Sequence, residues 1–386
     1  MRLSILYCLI ILQLFIGRMT GQNSFRAKYR EWIEDNDRVE VRSWYAESEH
    51  DLTNGWAVEV LGTIDAWSGA TPTGLPPEKS SPSNPNEWLS YVEEEVRNAG
   101  QLILTKKTPE YEIDWEHGIS DEPDYLSRSY AIRYAHKLAS QTLIINGGLF
   151  YHDDEVKDLW SGIEKSKSNT GLVLGIHRLL NPNTAITCNL SFLRPEGYLN
   201  DPYKIVAAQE TFFFGDGSSV STINPFRENR PNRRNIFILF SEVSHFSDEL
   251  NAGALGNYRY FQDNYDLQGH TFELEWNKKI DDEWIVSPRG RFYRQSQSNF
   301  YQSEIREYQS YLDNPNPHNG PFYSSDYRLS SFDSLSLGIK IVHMVKDDLK
   351  VDFSYDRYRT KGRDSITSQL VYPQANVFSF GFQWDY

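Results

Sequence analysis

Only two of the 386 residues are cysteine, Cys8 and Cys188. Cys8 sits inside an apolar run near the N-terminus, so beyond that run Cys188 stands alone and no internal disulfide can form. No Cys/His spacing suits zinc, and histidines scattered from His117 to His343 show no metal or nucleophile pattern. No cofactor is implied, and the fold must be held by hydrogen-bond ladders and packing. Excess positive charge is also missing: 39 Lys and Arg face 53 Asp and Glu, a formal net charge of -14. That argues against nucleic acid as a partner, because phosphate binding needs clustered cations. Long apolar runs are missing too. The run from Ile5 to Ile16 is too short for a spanning helix of about 20 residues, and nothing after it is long enough. A mean hydropathy of -0.59 resembles that of a water-soluble protein. It does not exclude a membrane barrel, in which only alternate strand residues face lipid.

What is present is alternation. In Val377–Tyr386, Phe378, Phe380, Phe382, Trp384 and Tyr386 alternate with Ser379, Gly381, Gln383 and Asp385. Successive strand side chains point to opposite faces, so one face is wholly aromatic and the other small or polar. A strand between lipid and a polar lumen needs that pattern. The terminal aromatic row also resembles the assembly signal of bacterial outer-membrane barrels, which implies a barrel-assembly machinery and outer-membrane lipid as partners. At the other end, Arg2, the apolar run and the small residues of Gly17–Gly21 read as a secretory leader over 1–21. The remaining 22–386 is expected to form the barrel.

Candidate strands with turn residues between them recur from Phe25 onward, about 16 in all. Long loops are expected at 67–100, 194–234 and 296–326. The spacing of Trp88, Val92 and Val96 predicts a short acidic helix over 86–98, and 203–214 is a candidate for two further strands. Every second connection is short. The 46–55 connection is long for a turn. Outer-membrane barrels show this phase, with short periplasmic turns, longer outside loops and an even strand count. The fold class expected is therefore all-β, an antiparallel transmembrane barrel in the cell outer membrane.

Register follows from the short turns. Pairing Lys340 with Asp352 places Ile341 opposite Val351 and Ile339 opposite Phe353. The same logic pairs Glu273 with Arg289, turning Phe272, Leu274 and Trp276 outward. Glu273, Glu275, Arg289, Arg291, Lys340 and Asp352 then form a lumen-facing ladder of opposite charges. Lys or Arg at mid-depth on the lipid face would cost about 2–4 kcal/mol, which favours this assignment. Asp153, Asp154 and Glu155 lack calcium-loop spacing. Gly215–Ser219 lacks the context of a nucleophilic serine and reads as a turn.

Several stretches together resemble a known family: Asp65–Pro72, Asp124–Tyr130, Gly197–Lys204, Glu228–Pro231, Tyr258–Asp263, Pro288–Gln295 and Tyr323–Ser330. In this order they are similar to the bacterial family catalogued as domain of unknown function 3570, over nearly all of the chain past the leader. The resemblance implies an outer-membrane barrel. It lends no catalytic residues, since the family has no established activity. Most of these stretches fall at outer strand ends or loops, where Asp, Tyr, Arg and Pro would build a fixed rim.

The reading is a barrel acting as an occluded or weakly selective channel, a transporter or a surface scaffold, and not an enzyme. Two rivals remain: a barrel enzyme acting on lipid or surface polymer, and a secreted soluble all-β binding protein.

Overall fold

Two-residue alternation runs through the computed structural model, which describes residues 23–74, 89–159, 161–305 and 320–386. The leader expected at 1–21 lies outside the described residues. In chain order the strands are β1 (Asn23–Glu34), β2 (Val39–Asp51), β3 (Trp56–Pro72), β4 (Leu89–Lys107), β5 (Tyr111–Asp121) and β6 (Tyr125–Leu138). Next come β7 (Leu143–Lys157), β8 (Glu164–Asn181), β9 (Thr184–Gly197), β10 (Ile205–Phe213), β11 (Ser219–Arg227) and β12 (Ile236–Ser247). The last are β13 (Ala252–Asp263), β14 (Gln268–Lys279), β15 (Trp284–Gln295), β16 (Phe332–Lys346), β17 (Leu349–Gly362) and β18 (Gln374–Asp385). All but β10 and β11 form one closed antiparallel barrel of 16 strands, in sequence order with β12 following β9 and β18 returning to β1. Asn23 and Tyr386 exchange backbone hydrogen bonds of 3.0 and 2.8 Å at the seam. Closure leaves no edge strand unpaired.

The faces follow the alternation. On β18, Phe378, Phe380 and Trp384 are exposed while Ser379 and Gly381 are buried. Phe272, Leu274, Leu337 and Ile339 continue the exposed apolar surface. A soluble protein would hide such a surface, whereas a transmembrane barrel presents it to lipid. Aromatic stacks gather at the end of the short turns: Trp56 on Trp115, Trp284 on His343, and Trp384 on Tyr386.

Several boundaries differ from those expected. No helix forms at 86–98 among the described residues; 89–98 belong to β4. A spacing of four residues puts side chains on one face of a helix and equally on one face of a strand, so that spacing could not choose. The ladders offered by β3 and β5 chose. The loop expected at 67–100 shrinks accordingly, because β3 runs to Pro72 and β4 starts at Leu89. The loop expected at 194–234 begins only after Gly197 and carries a hairpin. Within it 203–214 supplies one strand, β10, which pairs with β11 across the turn at 214–218. The loop expected at 296–326 runs on past that end, through a 3-10 turn at Tyr327–Leu329, before β16 begins at Phe332. At 46–55, β2 continues to Asp51, leaving a tight turn at Thr53–Gly55.

Register is offset by two residues from the expected pairing in both hairpins. Lys340 faces Ser354 and Ile341 faces Phe353; Glu273 faces Arg291 and Glu275 faces Arg289. Each turn is centred one residue later than expected, and a bulge lies between Met344 and Lys346. A two-residue offset keeps every side chain on its face, which is why the faces agree while the partners do not.

Candidate functional site

The expected ladder charges find partners in a different pattern. Arg291 Nε lies 2.7 Å from Glu273 Oε1. Arg289 does not bond Glu275 opposite it. It donates from Nε to Asp356 Oδ1 at 2.8 Å, two strands away. The intervening residue is Gly338, where an added Cβ would lie 2.0 Å from Asp356 Oδ1. Only a residue with no side chain leaves room for that reach. Lys340 and Asp352, diagonal across the ladder, are 3.8 Å apart. Glu273, Glu275, Arg289, Arg291 and Asp356 line a cavity of about 270 Å³.

A second arrangement lies at the long-loop end. The loops after β3, β9 and β15 are rooted at well-separated points of the ring. Strands β5–β8 lie between the first two roots, β13 and β14 between the next two, and β17, β18, β1 and β2 between the last and the first. Yet they meet. Lys204 Nζ donates to Thr71 Oγ1 at 3.2 Å and to the Pro72 carbonyl. The Ile205 amide donates to Thr73 O at 2.9 Å, and Ser325 Oγ donates to Ile205 O at 2.7 Å. Asn229 and Tyr323 exchange backbone bonds of 2.9 Å. Val206, Ala208, Ile305 and Tyr323 form a buried apolar cluster beside Phe226. We call this assembly the cap.

Its centre is ionic. Glu228 Oε2 accepts from Arg230 Nη2 at 2.9 Å and from Ser324 Oγ at 2.6 Å, and Oε1 lies 2.7 Å from Arg230 Nε in the same ion pair. Arg230 also reaches Asp326 at 2.8 Å. Asp326 accepts from Arg328 Nε at 2.9 Å and from the Arg328 amide at 3.0 Å, and Arg328 bridges on to Asp201. The Glu228 and Asp326 side chains are each 1% exposed. Burial raises the Glu228 carboxyl above the usual carboxylate range, Arg230 opposing and Asp326 adding to it. Burial would raise Asp326 too, but the guanidiniums of Arg328 and Arg230 outweigh it and hold that carboxyl well below its ordinary value. Burial also lowers the Lys204 amine and pushes the Tyr198 hydroxyl up to about 12. Paired charges of this kind are costly to break, because removing one leaves the other buried and unmatched.

The remaining loops join the rim of the cap. Tyr203 OH donates to Asp124 Oδ2 at 2.7 Å and Arg227 pairs with Asp158 at 2.9 Å. Tyr301 and Thr367 hydroxyls lie 2.6 Å apart, as do those of Ser330 and Tyr372. Gln295 Nε2 donates to Ser330 O at 2.6 Å, and Arg234 Nε to Asp263 Oδ2 at 2.7 Å. All seven stretches singled out in the sequence therefore contribute to one assembly. Their residues were visible as a set, but nothing in their order says that Glu228 would meet Ser324 or that Arg328 would meet Asp201.

Below the cap are two large cavities. One of about 920 Å³ is lined both by cap residues such as Arg328 and by wall residues such as Tyr293. The other, of about 1110 Å³, is lined mainly by the inward faces of β4–β9. Both linings include His152 and Asn169. The cap therefore sits directly over the lumen. Among the described residues no group of three or more His, Cys, Asp and Glu could hold a metal ion.

The family model described as "Protein of unknown function (DUF3570)" matches residues 15–162 and 158–384. The chain belongs to this family. Comparison with curated proteins finds no match. Among solved structures, this DUF3570 barrel is similar to a bacterial polysaccharide outer membrane secretin at 7% identity and a TM-score of 0.51, covering 94% of this chain and 98% of that one. It also matches a loop-deletion form of OmpT, an outer membrane protein of Vibrio cholerae (8% identity, TM-score 0.45, covering 95% and 99%). A third match is the siderophore receptor PirA from Pseudomonas aeruginosa (12% identity, TM-score 0.44), of which the chain spans 62% of the length while 95% of its own is covered. At these identities the likeness concerns the fold: a closed outer-membrane β-barrel.

Proposed function

We propose that this DUF3570 chain works in the outer membrane as a barrel whose outer mouth is held shut by its own loops: a gated or weakly selective channel or transporter, not an open porin. The observation that carries the reading is the ionic cluster in which the buried carboxylates of Glu228 and Asp326 meet Arg230 and Arg328, which ties together loops rooted far apart on the ring. The lumen supports it from below. Pairs such as Arg291 with Glu273 and Arg289 with Asp356 cancel much of each other's field, whereas a selective pore presents a ring of one sign. Export through the leader at 1–21 and insertion guided by Phe378, Phe380, Phe382, Trp384 and Tyr386 complete the reading. The aromatic row faces outward, where an assembly factor or lipid would meet it.

Planar-bilayer conductance of the purified protein tests this. The intact barrel should conduct weakly, and Asp326→Asn should raise the conductance several-fold. A large, steady current from the intact protein, unchanged by that substitution, would remove the cap from the account.

A further inference from the structure

The cavity of about 920 Å³ beneath the cap has two unlike sides. Toward β4–β8 its lining includes Glu95, Glu122, Asp124 and Asp154, the last paired with Lys167; toward β12–β15 it includes Arg234, Arg259 and Arg291. The three guanidiniums differ in how they are held. Arg234 is engaged by Asp263 and Arg291 by Glu273. Arg259 has no carboxylate or hydrogen-bond partner among the described residues, and its side chain is exposed to the cavity. Through Thr271 it lies level with Tyr293 across the ladder, and the Arg291 guanidinium sits 5.7 Å from the centre of the Tyr293 ring. A guanidinium without a counter-charge, beside two others, makes a local positive potential. Its planar fork suits a carboxylate or phosphate held by two parallel bonds. The facing carboxylates repel a second anion but accept from hydroxyls, and the half-buried rings of Tyr125 and Tyr293 offer flat apolar surface to a sugar-like face.

We propose that this cavity binds a small hydroxylated solute carrying one oxyanion, with Arg259 as the contact to that oxyanion and the acidic wall receiving the hydroxyls. The proposal rests on the reading of the loops as a cap, since the cap forms part of the cavity's lining.

Calorimetric titration of the purified, folded barrel in detergent tests it, with glucuronate, glucose 6-phosphate, glucose and inorganic phosphate as probes. The two anionic sugars should bind, and glucose should bind at least about tenfold more weakly, as loss of one charged hydrogen bond implies. Arg259→Ala should weaken the anionic sugars by about the same factor and leave glucose unchanged. Arg259→Lys, which keeps the charge but not the fork, should fall between. Arg26→Ala, at the short-turn end, should change nothing. Heat-modifiable migration on a gel confirms that each variant is folded. Equal binding of glucose and glucuronate, or binding indifferent to Arg259→Ala, would overturn the site. Inorganic phosphate binding as tightly as glucose 6-phosphate would overturn the assigned class of solute. Conductance measured in parallel separates the two readings. Anion binding that depends on Arg259 in a freely conducting barrel refutes the cap and keeps the site; a closed barrel with no anion preference refutes the site alone.

Discussion

The wall and the cap of this barrel are stabilised in opposite ways. In the wall, neighbouring strands supply the backbone hydrogen bonds, the large side chains point outward, and side-chain pairs join adjacent or next-but-one strands, as Glu273 with Arg291 and Arg289 with Asp356. In the cap the buried groups are charged, such as Asp326, Glu228 and Lys204, and their partners are distant in sequence, 96 residues for Glu228 with Ser324 and 133 for Lys204 with Thr71. In the wall a side chain's face is set by alternation along its own strand, whichever residue stands opposite it. The cap depends on particular atoms meeting, so one substitution can release it without touching the barrel below.

The largest expected effect is in the wall, at its seam. Tyr386→Asp puts a charge on the outward aromatic row and beside the bonds between Asn23 and Tyr386. It should abolish assembly, read as loss of the heat-modifiable form; normal levels of that form would end the idea of a terminal signal. Next is the cap. Asp326→Asn leaves Arg230 and Arg328 short of a buried counter-charge and should weaken the cap by about 3–5 kcal/mol. Faster amide exchange at 323–330 with an unchanged melting temperature for the barrel is the expected result. A parallel drop in melting temperature would mean that wall and cap are one cooperative unit.

Third, Leu274→Arg on the outward face should cost about 2–4 kcal/mol, while Ser336→Arg on the inward face should cost much less. Equal shifts in denaturant midpoint would contradict the assignment of faces. Fourth, pH should act on the cap with two opposed slopes. Asp326, held below its ordinary value of 3.8, adds stability above that value and loses it as pH falls further. Glu228, raised above 4.5, favours the folded cap while protonated, and that contribution is lost as pH rises through its folded value. Protection of the 323–330 amides, taken relative to their intrinsic exchange rates at each pH, should therefore be greatest in mild acid, and a monotonic protection profile from pH 3 to 8 would show that only one of the two acts. The smallest effects separate two wall pairs. Arg289→Ala breaks short bonds to Asp356 and should cost about 1.5–3 kcal/mol. Lys340→Ala gives up only a 3.8 Å contact and should stay within about 0.5 kcal/mol. Reversal of that order in urea unfolding would discredit the observed register.

Legibility divides along the same boundary. The outward aromatic row of β18, the short turns and the faces of Phe272, Leu274, Ile339 and Lys340 all follow from a period of two, a local property. The helix expected at 86–98 failed because its apolar spacing satisfied both periods. The partner of Arg289 was missed because Asp356 lies beyond an intervening strand, over Gly338. Glu228–Pro231 and Tyr323–Ser330 could be picked out as members of a set, yet the contact between them had no local sign.

By itself, then, the sequence determined an all-β transmembrane barrel, its even strand count, its long-loop and short-turn ends, and which residues of β14–β18 face outward. Those properties depend on alternation along one strand and on turns between neighbours, which a chain carries in its own order. Only the tertiary structure decided that three distant loops close into one cap, that Glu228 and Asp326 are buried there among arginines, and that Arg259 is left facing a cavity with no partner among the described residues. Ring closure brings those loops over a common mouth, and no period in the sequence encodes distances across it.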